Sequence, residues 1–386
     1  MRVAIVGGRL QGVEATYLAQ RAGWETVVLD RERNVPASGF AHHFVQVELR
    51  SPGEPWEGIL RECDFIVPAL ENMAALELLQ EFAAAAEIPL AHDAAAYRVS
   101  SSKLSSHCLF RRLGLPLPRP YPEAAFPLLA KPASGSGSRG VTVLHTPQQL
   151  SAFREGIGRD GEWIIEEYVA GPGYSIEVLG CGGACMALEI TEIQVDEACD
   201  CKRVVYPAAL PEAPARQMAQ FAEEIAAALE LQGLMDLEAI YTAGGWRLLE
   251  IDARLPSQTP VTVYHATGFN MLEALYQIFS EGRLPPPPRA ARRRAVIYEQ
   301  IRVQDGCLEV MGERIISGAG PLRYSENCFG ADAALSSFRE GALAWTAILI
   351  FCGATLEEAW SRRRAAIETM GKEFGLKITP EAERGR

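Results

Sequence analysis

The stretch Met235-Asp-Leu-Glu-Ala-Ile-Tyr-Thr-Ala-Gly-Gly-Trp-Arg-Leu-Leu-Glu-Ile-Asp-Ala-Arg-Leu-Pro-Ser-Gln-Thr259 decides how the chain is read. Two apolar runs, interrupted by acids and joined by a glycine pair, form the pattern of a β-hairpin that carries charge. Side chains alternate faces along a strand, so Asp236, Glu238 and Ile240 share one face of the first run, and Leu248, Glu250 and Asp252 one face of the second. Whether those faces meet depends on the turn. A three-residue connection through Ala243, Gly244 and Gly245, with glycine supplying the left-handed residue, pairs Thr242 with Trp246. Glu238 then falls opposite Glu250 and Asp236 opposite Asp252, whereas a two-residue turn breaks the pattern. Like charges held across a sheet repel, so a cation is expected between them, and hard oxygen donors in this number suit Mg²⁺ bound together with substrate phosphates. An edge hairpin whose acids point to water is the alternative. Glu-Ile-Asp-Ala-Arg running into a Pro-Ser-Gln-Thr loop argues against it.

A chain of 386 residues, 48% hydrophobic, has room for two or three globular domains. No apolar run approaches the roughly 20 residues that span a bilayer, and Met1-Arg-Val-Ala-Ile-Val-Gly-Gly reads as a strand entering a turn, not a signal peptide. A cytoplasmic protein is expected. The nine cysteines are scattered, and Cys181/Cys185 and Cys199/Cys201 lack paired C-x-x-C spacing, so they read as reduced thiols. A net charge of −12 argues against a nucleic-acid surface. The basic cluster at 289–294 follows four prolines and reads as solvated linker.

In order, the chain opens as β-α-β, with an apolar run at 2–8, helical periodicity at 11–23 and a strand at 25–30 ending in Asp30. Gly7-Gly-Arg-Leu-Gln-Gly12 resembles a dinucleotide fingerprint, but Arg9 stands where the second glycine of G-x-G-x-x-G belongs, so the match to an NAD site is weak. Strands at 44–48, 65–68 and 89–91 and a helix at 74–87 complete a small doubly wound unit. Glu71 follows the strand at 65–68, at the end of a parallel sheet where ligands of such folds collect, and a carboxylate there can pair with an ammonium group. Next come a helix at 100–113 with Lys103, and a strand at 126–131 that ends in Lys131. It enters Pro132-Ala-Ser-Gly-Ser-Gly-Ser-Arg-Gly140, a loop able to wrap phosphate with backbone N–H groups. The lysine precedes the glycines, so this is not a Walker A loop, and a flexible surface loop is the other reading. Trp163-Ile-Ile-Glu-Glu-Tyr-Val169 is a strand, Gly171-Pro-Gly173 a hinge, and the strand at 174–180 sets Ser175 and Glu177 on one face. After the hairpin come a helix at 270–281, strands at 294–302, 309–316 and 344–350, a helix at 356–374 and a frayed tail beyond 378.

Taken together, Lys103, Lys131, the glycine/serine loop, Glu166-Glu-Tyr-Val169 and Glu238 with Glu250-Ile-Asp-Ala-Arg254 resemble the ATP-grasp superfamily in kind and order. Within it the whole chain is similar to the ligases of pyrrolysine biosynthesis. That likeness rests on Gly7-Gly-Arg-Leu-Gln-Gly-Val-Glu-Ala15, Pro68-Ala-Leu-Glu-Asn72, Ala96-Tyr-Arg-Val-Ser100, Met235-Asp-Leu-Glu-Ala-Ile240 and, most specifically, Glu250 through Pro260. The resemblance implies an α/β and α+β chain: an N-terminal doubly wound (Rossmann-like) domain at 1–97, a central ATP-grasp lobe with a phosphate lid at 98–172, and a lobe with the metal site and a β-rich extension at 173–386. It implies ATP and Mg²⁺, with 3-methyl-D-ornithine and L-lysine as small-molecule substrates, no nucleic acid or membrane partner, and it is compatible with a homodimer.

By position the resemblance places Lys103 and Lys131 at the nucleotide phosphates, beneath a lid at 134–140 that includes Ser138 and Gly140. Glu166, Glu167 and Val169 would meet the adenine edge, and Leu10, Gln11 and Asp30 would add to the nucleotide site. Asp236, Glu238, Glu250 and Asp252 would hold Mg²⁺. Arg254 and Lys131 would act in catalysis, Arg254 steadying the acyl phosphate or its tetrahedral successor. Ser257, Gln258 and Thr259 would grip the ornithine-type substrate, Ser175 and Glu177 would also bind substrate, and Arg9, Glu71 and Asn72, with Leu10 and Gln11, would border the site for nucleotide or lysine. Other readings are an ATP-grasp ligase for another amino-acid pair, a nicotinamide-dependent oxidoreductase and a non-catalytic nucleotide sensor. Amine-dependent ADP release separates the ligases from the last two.

Overall fold

Arg2–Val6 lies between Glu25–Asp30 and Phe65–Pro68 in a four-stranded parallel sheet whose outer strand is His43–Gln46. A computed structural model describes residues 1–135, 137–157, 162–288 and 293–383; Ser136 of the glycine/serine loop, 289–292 of the basic cluster and the end of the expected tail lie outside the described residues. Val3 and Ile5 share a core with Val13 and Leu18 of the helix Leu10–Arg21, while Ala4 and Val6 share another with Leu79 and Phe82 of Met73–Ala86. Burial on both faces is what a parallel sheet covered by helices requires. The turn beyond the first strand depends on close backbone approach. Gly7 has φ +110°, and a Cβ there would stand 2.2 Å from the Ala69 carbonyl oxygen.

Leu128–Pro132 runs antiparallel between Thr142–Leu144 and Trp163–Glu167 in a three-stranded sheet. A third, almost wholly antiparallel sheet runs from the hairpin Gly233–Thr242/Gly245–Asp252 through Gly173–Cys181, Ala184–Val195, Cys201–Tyr206, Ala295–Gln304 and Trp345–Gly353 to Ala333–Ser336 and Arg323–Glu326. The helix Glu212–Ala228 packs Met218, Ala222 and Ile225 with Leu237, Trp246 and Leu248 of the hairpin. Thr259–Thr267 and Met271–Tyr276 share the core of Leu10–Arg21, so the first sheet is joined to the third through helices. No helix among the described residues is long and apolar enough to cross a membrane.

The hairpin reaches the expected pairing by a different route. Thr242 pairs with Gly245 across a two-residue turn, Tyr241 meets Trp246, and Gly245 is the left-handed glycine at φ +87°. The register then shifts: Ala239 pairs with Leu248 but Glu238 with Glu250, leaving Leu249 as the extra residue of a bulge. One inserted residue cancels the one-residue difference in the turn, so Glu238 faces Glu250 and Asp236 faces Asp252 after all.

Elsewhere the sequence misled. The expected strand at 309–316 is the end of Cys307–Val310 followed by a helical turn, Arg314–Ser317, because the carboxylates of Asp196 and Asp200 take the backbone N–H groups of Gly312 and Arg314, at 3.3 and 3.1 Å, in place of a strand partner. The tail beyond 378 is anchored: Pro380–Glu383 forms a helical turn, Ala382 is buried, and its carbonyl accepts from Arg363 Nη1 at 2.6 Å. Ala184–Val195 and Cys201–Tyr206, both absent from the sequence reading, supply two central strands.

Candidate active site

A cavity of about 1250 Å³ opens between the three-stranded sheet and the hairpin edge of the large sheet. Leu129, Val169, Ile193, Ile240 and Leu249 give it an apolar slot, and Lys103, Lys131, Glu238 and Glu250 a charged end. A cleft that is mostly apolar with a few convergent polar groups is the form small-molecule sites take. Lys131 is carried on Leu128–Pro132, where Leu128 and Ala130 are buried in a separate small core, and its Nζ lies 2.8 Å from Glu166 Oε1 on the adjacent strand. Both members of this pair are buried, and burial holds the Glu166 carboxyl above its ordinary range against the pull of Lys131. Glu167 turns instead to Arg119 at 3.1 Å. Lys103 opens the helix Lys103–Arg112 behind its cap Ser102, and its Nζ lies 2.8 Å from Glu250 Oε2 and donates to Gly135 O at 2.7 Å.

The register-paired acids have unequal surroundings. Burial and the carboxylates of Glu250 and Asp252 push Glu238 up to about 8, and burial with Asp252 raises Asp236 well above the ordinary range. Burial would raise Glu250 too, but Lys103 and Lys131 outweigh it and hold that carboxyl low. Asp252 is pushed up to about 6 by burial, despite Arg254. Acids crowded this way, with Asp236 Oδ1 buried and unpartnered, fit a divalent cation through hard oxygen donors. Among the described residues no three His, Cys, Asp or Glu side chains converge as a ready-made metal cage, so phosphate oxygens would have to complete the shell.

Arg254 bridges two units of the chain: its Nη2 lies 2.9 Å from Asp252 Oδ2 and 3.0 Å from Glu71 Oε1. Its Nε is buried without a partner. Beside it a small cavity of about 140 Å³ is lined by Gln11, Ser175, Asp236, Ser257, Gln258 and Thr259, among others. Glu177 is fully buried next to this wall, and burial pushes it up to about 7. The Thr259 and Ser175 hydroxyls oppose that rise, but no partner stands in hydrogen-bonding geometry to either Glu177 oxygen, nor to Ser175 Oγ or Thr259 Oγ1.

Arg9, Leu10, Gln11, Asp30, Glu71 and Asn72 line a third cavity, of about 640 Å³. The structure does not bring Leu10, Gln11 and Asp30 to the lysines. Asp30 Oδ2 accepts from Gly8 N at 2.8 Å and so holds the glycine turn; Asn72 caps Met73–Ala86 by accepting from Ala75 N at 3.0 Å; Arg9 reaches Glu32 at 2.7 Å. Residues of the 134–140 loop form walls of all three cavities. The loop is tied at three points: Lys103 Nζ donates to Gly135 O, Arg314 Nη2 donates to Gly137 O at 2.9 Å, and Ser138 Oγ donates to Cys199 O at 2.7 Å. Gly140 lines none of the three. With φ +78° it turns the chain against Pro132 and Trp163.

Several cavity-facing residues lie in segments that the sequence analysis does not place at the site. Glu313, whose Oε2 accepts from Ser257 Oγ at 2.8 Å and Gln258 Nε2 at 2.6 Å, lies in the segment misread as strand. Lys202 and Arg203 line the cavity of about 1250 Å³ from Cys201–Tyr206, a run whose β-branched and aromatic residues fit a strand.

Residues 100–258 match the family described as ATP-grasp domain. Over its length the chain is similar to the 3-methyl-D-ornithine–L-lysine ligase of Methanosarcina barkeri, 30% identical over 97% of this chain and 98% of that protein. The ligase of the same name from Methanosarcina mazei is 31% identical, over 97% and 96%. Among solved structures, an ADP complex of N5-carboxyaminoimidazole ribonucleotide synthetase superposes with a TM-score of 0.70 at 16% identity, covering 95% of this chain and 96% of that one.

Proposed function

The chain belongs to the family of 3-methyl-D-ornithine–L-lysine ligases within the ATP-grasp proteins, and from that premise we propose that it joins 3-methyl-D-ornithine to the ε-amine of L-lysine at the expense of ATP, in pyrrolysine biosynthesis. The observation that carries this reading to particular residues is the Glu238–Glu250 pair, facing Lys103 and Lys131 in one cavity under the 134–140 loop. A substrate carboxylate oxygen attacks the γ-phosphorus of ATP, ADP leaves, and the amine then displaces phosphate from the acyl phosphate to form the isopeptide. Lys103 and Lys131 bind phosphate oxygens, Glu166, Glu167 and Val169 border the adenine, and the loop keeps water from the acyl phosphate. Glu238 and Glu250, with Asp236 and Asp252 behind them, are the residues that would hold Mg²⁺. When bound, that ion neutralises charge on the transferring phosphoryl group. Arg254 donates to the acyl phosphate oxygens. The unpartnered oxygens of Ser175, Glu177 and Thr259 suit an ammonium of the diamino acid whose carboxylate is activated.

Incubation with ATP, Mg²⁺ and pairs of amino acids, read by mass spectrometry, is expected to give 3-methylornithinyl-lysine with ADP release that requires both substrates. Release of ADP without an amine, or condensation of a different pair only, would refute the assignment. The assignment of 134–140 as a phosphate lid makes a separate expectation. Limited proteolysis should cut within 134–140 in the empty protein and more slowly with ATP and Mg²⁺, because the few polar ties seen here open more readily than a packed core. Equal cutting in both conditions would count against a phosphate lid.

Glu71 is assigned to the lysine ammonium. Its side chain is 32% exposed and already meets Arg254, so it is a half-exposed charge whose loss costs less than that of a buried one. Glu71→Ala should therefore raise KM for lysine by about tenfold, near 1.4 kcal/mol, with a smaller effect on ATP. An unaltered lysine KM would place the amine elsewhere.

A further inference from the structure

The helix Leu10–Arg21 of the first unit packs on Thr259–Thr267 of the last, and several side chains join its face to that region. Tyr17 Oη lies 2.7 Å from His265 Nε2, and Asn270 Nδ2 donates to Leu18 O at 2.8 Å. Glu14 is the best placed. It is 1% exposed, its Oε2 accepts from Val261 N at 3.1 Å and its Oε1 accepts from Tyr298 Oη at 3.0 Å. Val261 lies in the first turn after the 257–259 loop, so Glu14 fastens the backbone that leaves that loop.

The loop needs fastening. Gln258 stands at φ +72°, a left-handed conformation rarely adopted by a residue with a side chain, and such strain persists only where the surroundings over-determine it. Glu313 restrains the Ser257 and Gln258 side chains from one side, and Glu14 restrains the following backbone from the other. The helix that carries Glu14 also brings Leu10 and Gln11 to the small cavity lined by Ser257, Gln258 and Thr259. Among the ties between those two walls, Glu14 is the one that reaches the backbone leaving the loop.

We infer that Glu14 is a positioning residue for the 257–259 loop and thereby sets the affinity for the substrate whose carboxylate is activated. The inference rests on the assignment of that loop to the ornithine-type substrate. A carboxamide of the same shape offers an acceptor to Val261 N–H and a donor to Tyr298 Oη, whereas leucine offers neither and aspartate is too short to reach both.

Steady-state kinetics of the full chain with 3-methyl-D-ornithine, L-lysine and ATP test this. Glu14→Leu is expected to raise KM for 3-methyl-D-ornithine about tenfold or more with KM for ATP unaltered; Glu14→Gln should restore it to near the parent value, and Glu14→Asp should fall between. A Glu14→Leu protein with a lowered Tm and both KM values unaltered overturns the inference. Should Glu14→Leu fail to fold, the same comparison between Glu14→Asp and Glu14→Gln decides. Gln258→Ala separates the two layers: an unaltered KM there removes the loop from the substrate site and overturns both, while a raised KM there with unaltered Glu14 variants overturns the role of Glu14 alone.

Discussion

Glu250→Gln is expected to lower turnover by about 1000-fold or more while leaving a folded protein. The carboxylate is one of two that face each other at the charged end of the cavity shared with Lys103 and Lys131, and the amide keeps its shape while losing the charge that would hold Mg²⁺. The same substitution at its partner separates charge from fold. Lys103 and Lys131 hold Glu250 below the ordinary carboxylate range, so its charge favours the metal-free folded state and Glu250→Gln should lower Tm slightly. Glu238 is pushed the other way, to about 8, by burial and by Glu250. Glu238→Gln should therefore raise the Tm of the metal-free protein. That gain should grow from about pH 5 to pH 8, the window in which the unfolded chain has released a proton that the folded chain keeps. Near-normal turnover in Glu250→Gln would remove it from the metal site. Thermal shifts of the same sign in both variants would contradict the electrostatic account.

Arg254→Lys is expected to lower kcat by about 100- to 1000-fold, with KM for ATP little altered. A guanidinium can span Asp252 and Glu71 and still present a further N–H, and here Nε is buried without a partner. An ammonium keeps the positive charge between those acids, so the fold should survive, but it cannot hold two carboxylates and also reach the acyl phosphate. Arg254→Met removes the charge as well and should destabilise the protein, because Asp252 and Glu71 then lose their shared cation. Single-turnover measurement of acyl phosphate formation against amine capture locates the defect. Normal rates for both steps in Arg254→Lys would show that this side chain never touches the reacting group.

Much of this was legible without coordinates because it depends on short spacing. The alternation of Asp236 with Glu238 and of Glu250 with Asp252 put each pair on one face, and the lysine at the end of a strand before a glycine/serine loop followed from residue order alone. Family resemblance extended the same local motifs to a nucleotide cleft and a ligase. Even the register of the hairpin came out right at the acids, although the turn and the bulge that produce it were invisible, since a two-residue turn plus an inserted Leu249 gives the same pairing as the three-residue turn.

What only the tertiary structure decided are contacts between residues far apart in the chain. Local pattern could not show that Glu313 would gather Ser257 and Gln258, that Arg254 would bridge Asp252 to Glu71, or that a backbone carbonyl at Ala382 would anchor a polar tail on Arg363. Sequence pattern reports which face of an element is apolar, but a buried polar side chain is admitted only if a partner arrives from elsewhere, and that partner is chosen by packing. Glu14 shows this plainly: in sequence it is the one acid of the helix Leu10–Arg21, and in the fold it ties the first unit to the backbone that leaves the loop after the hairpin.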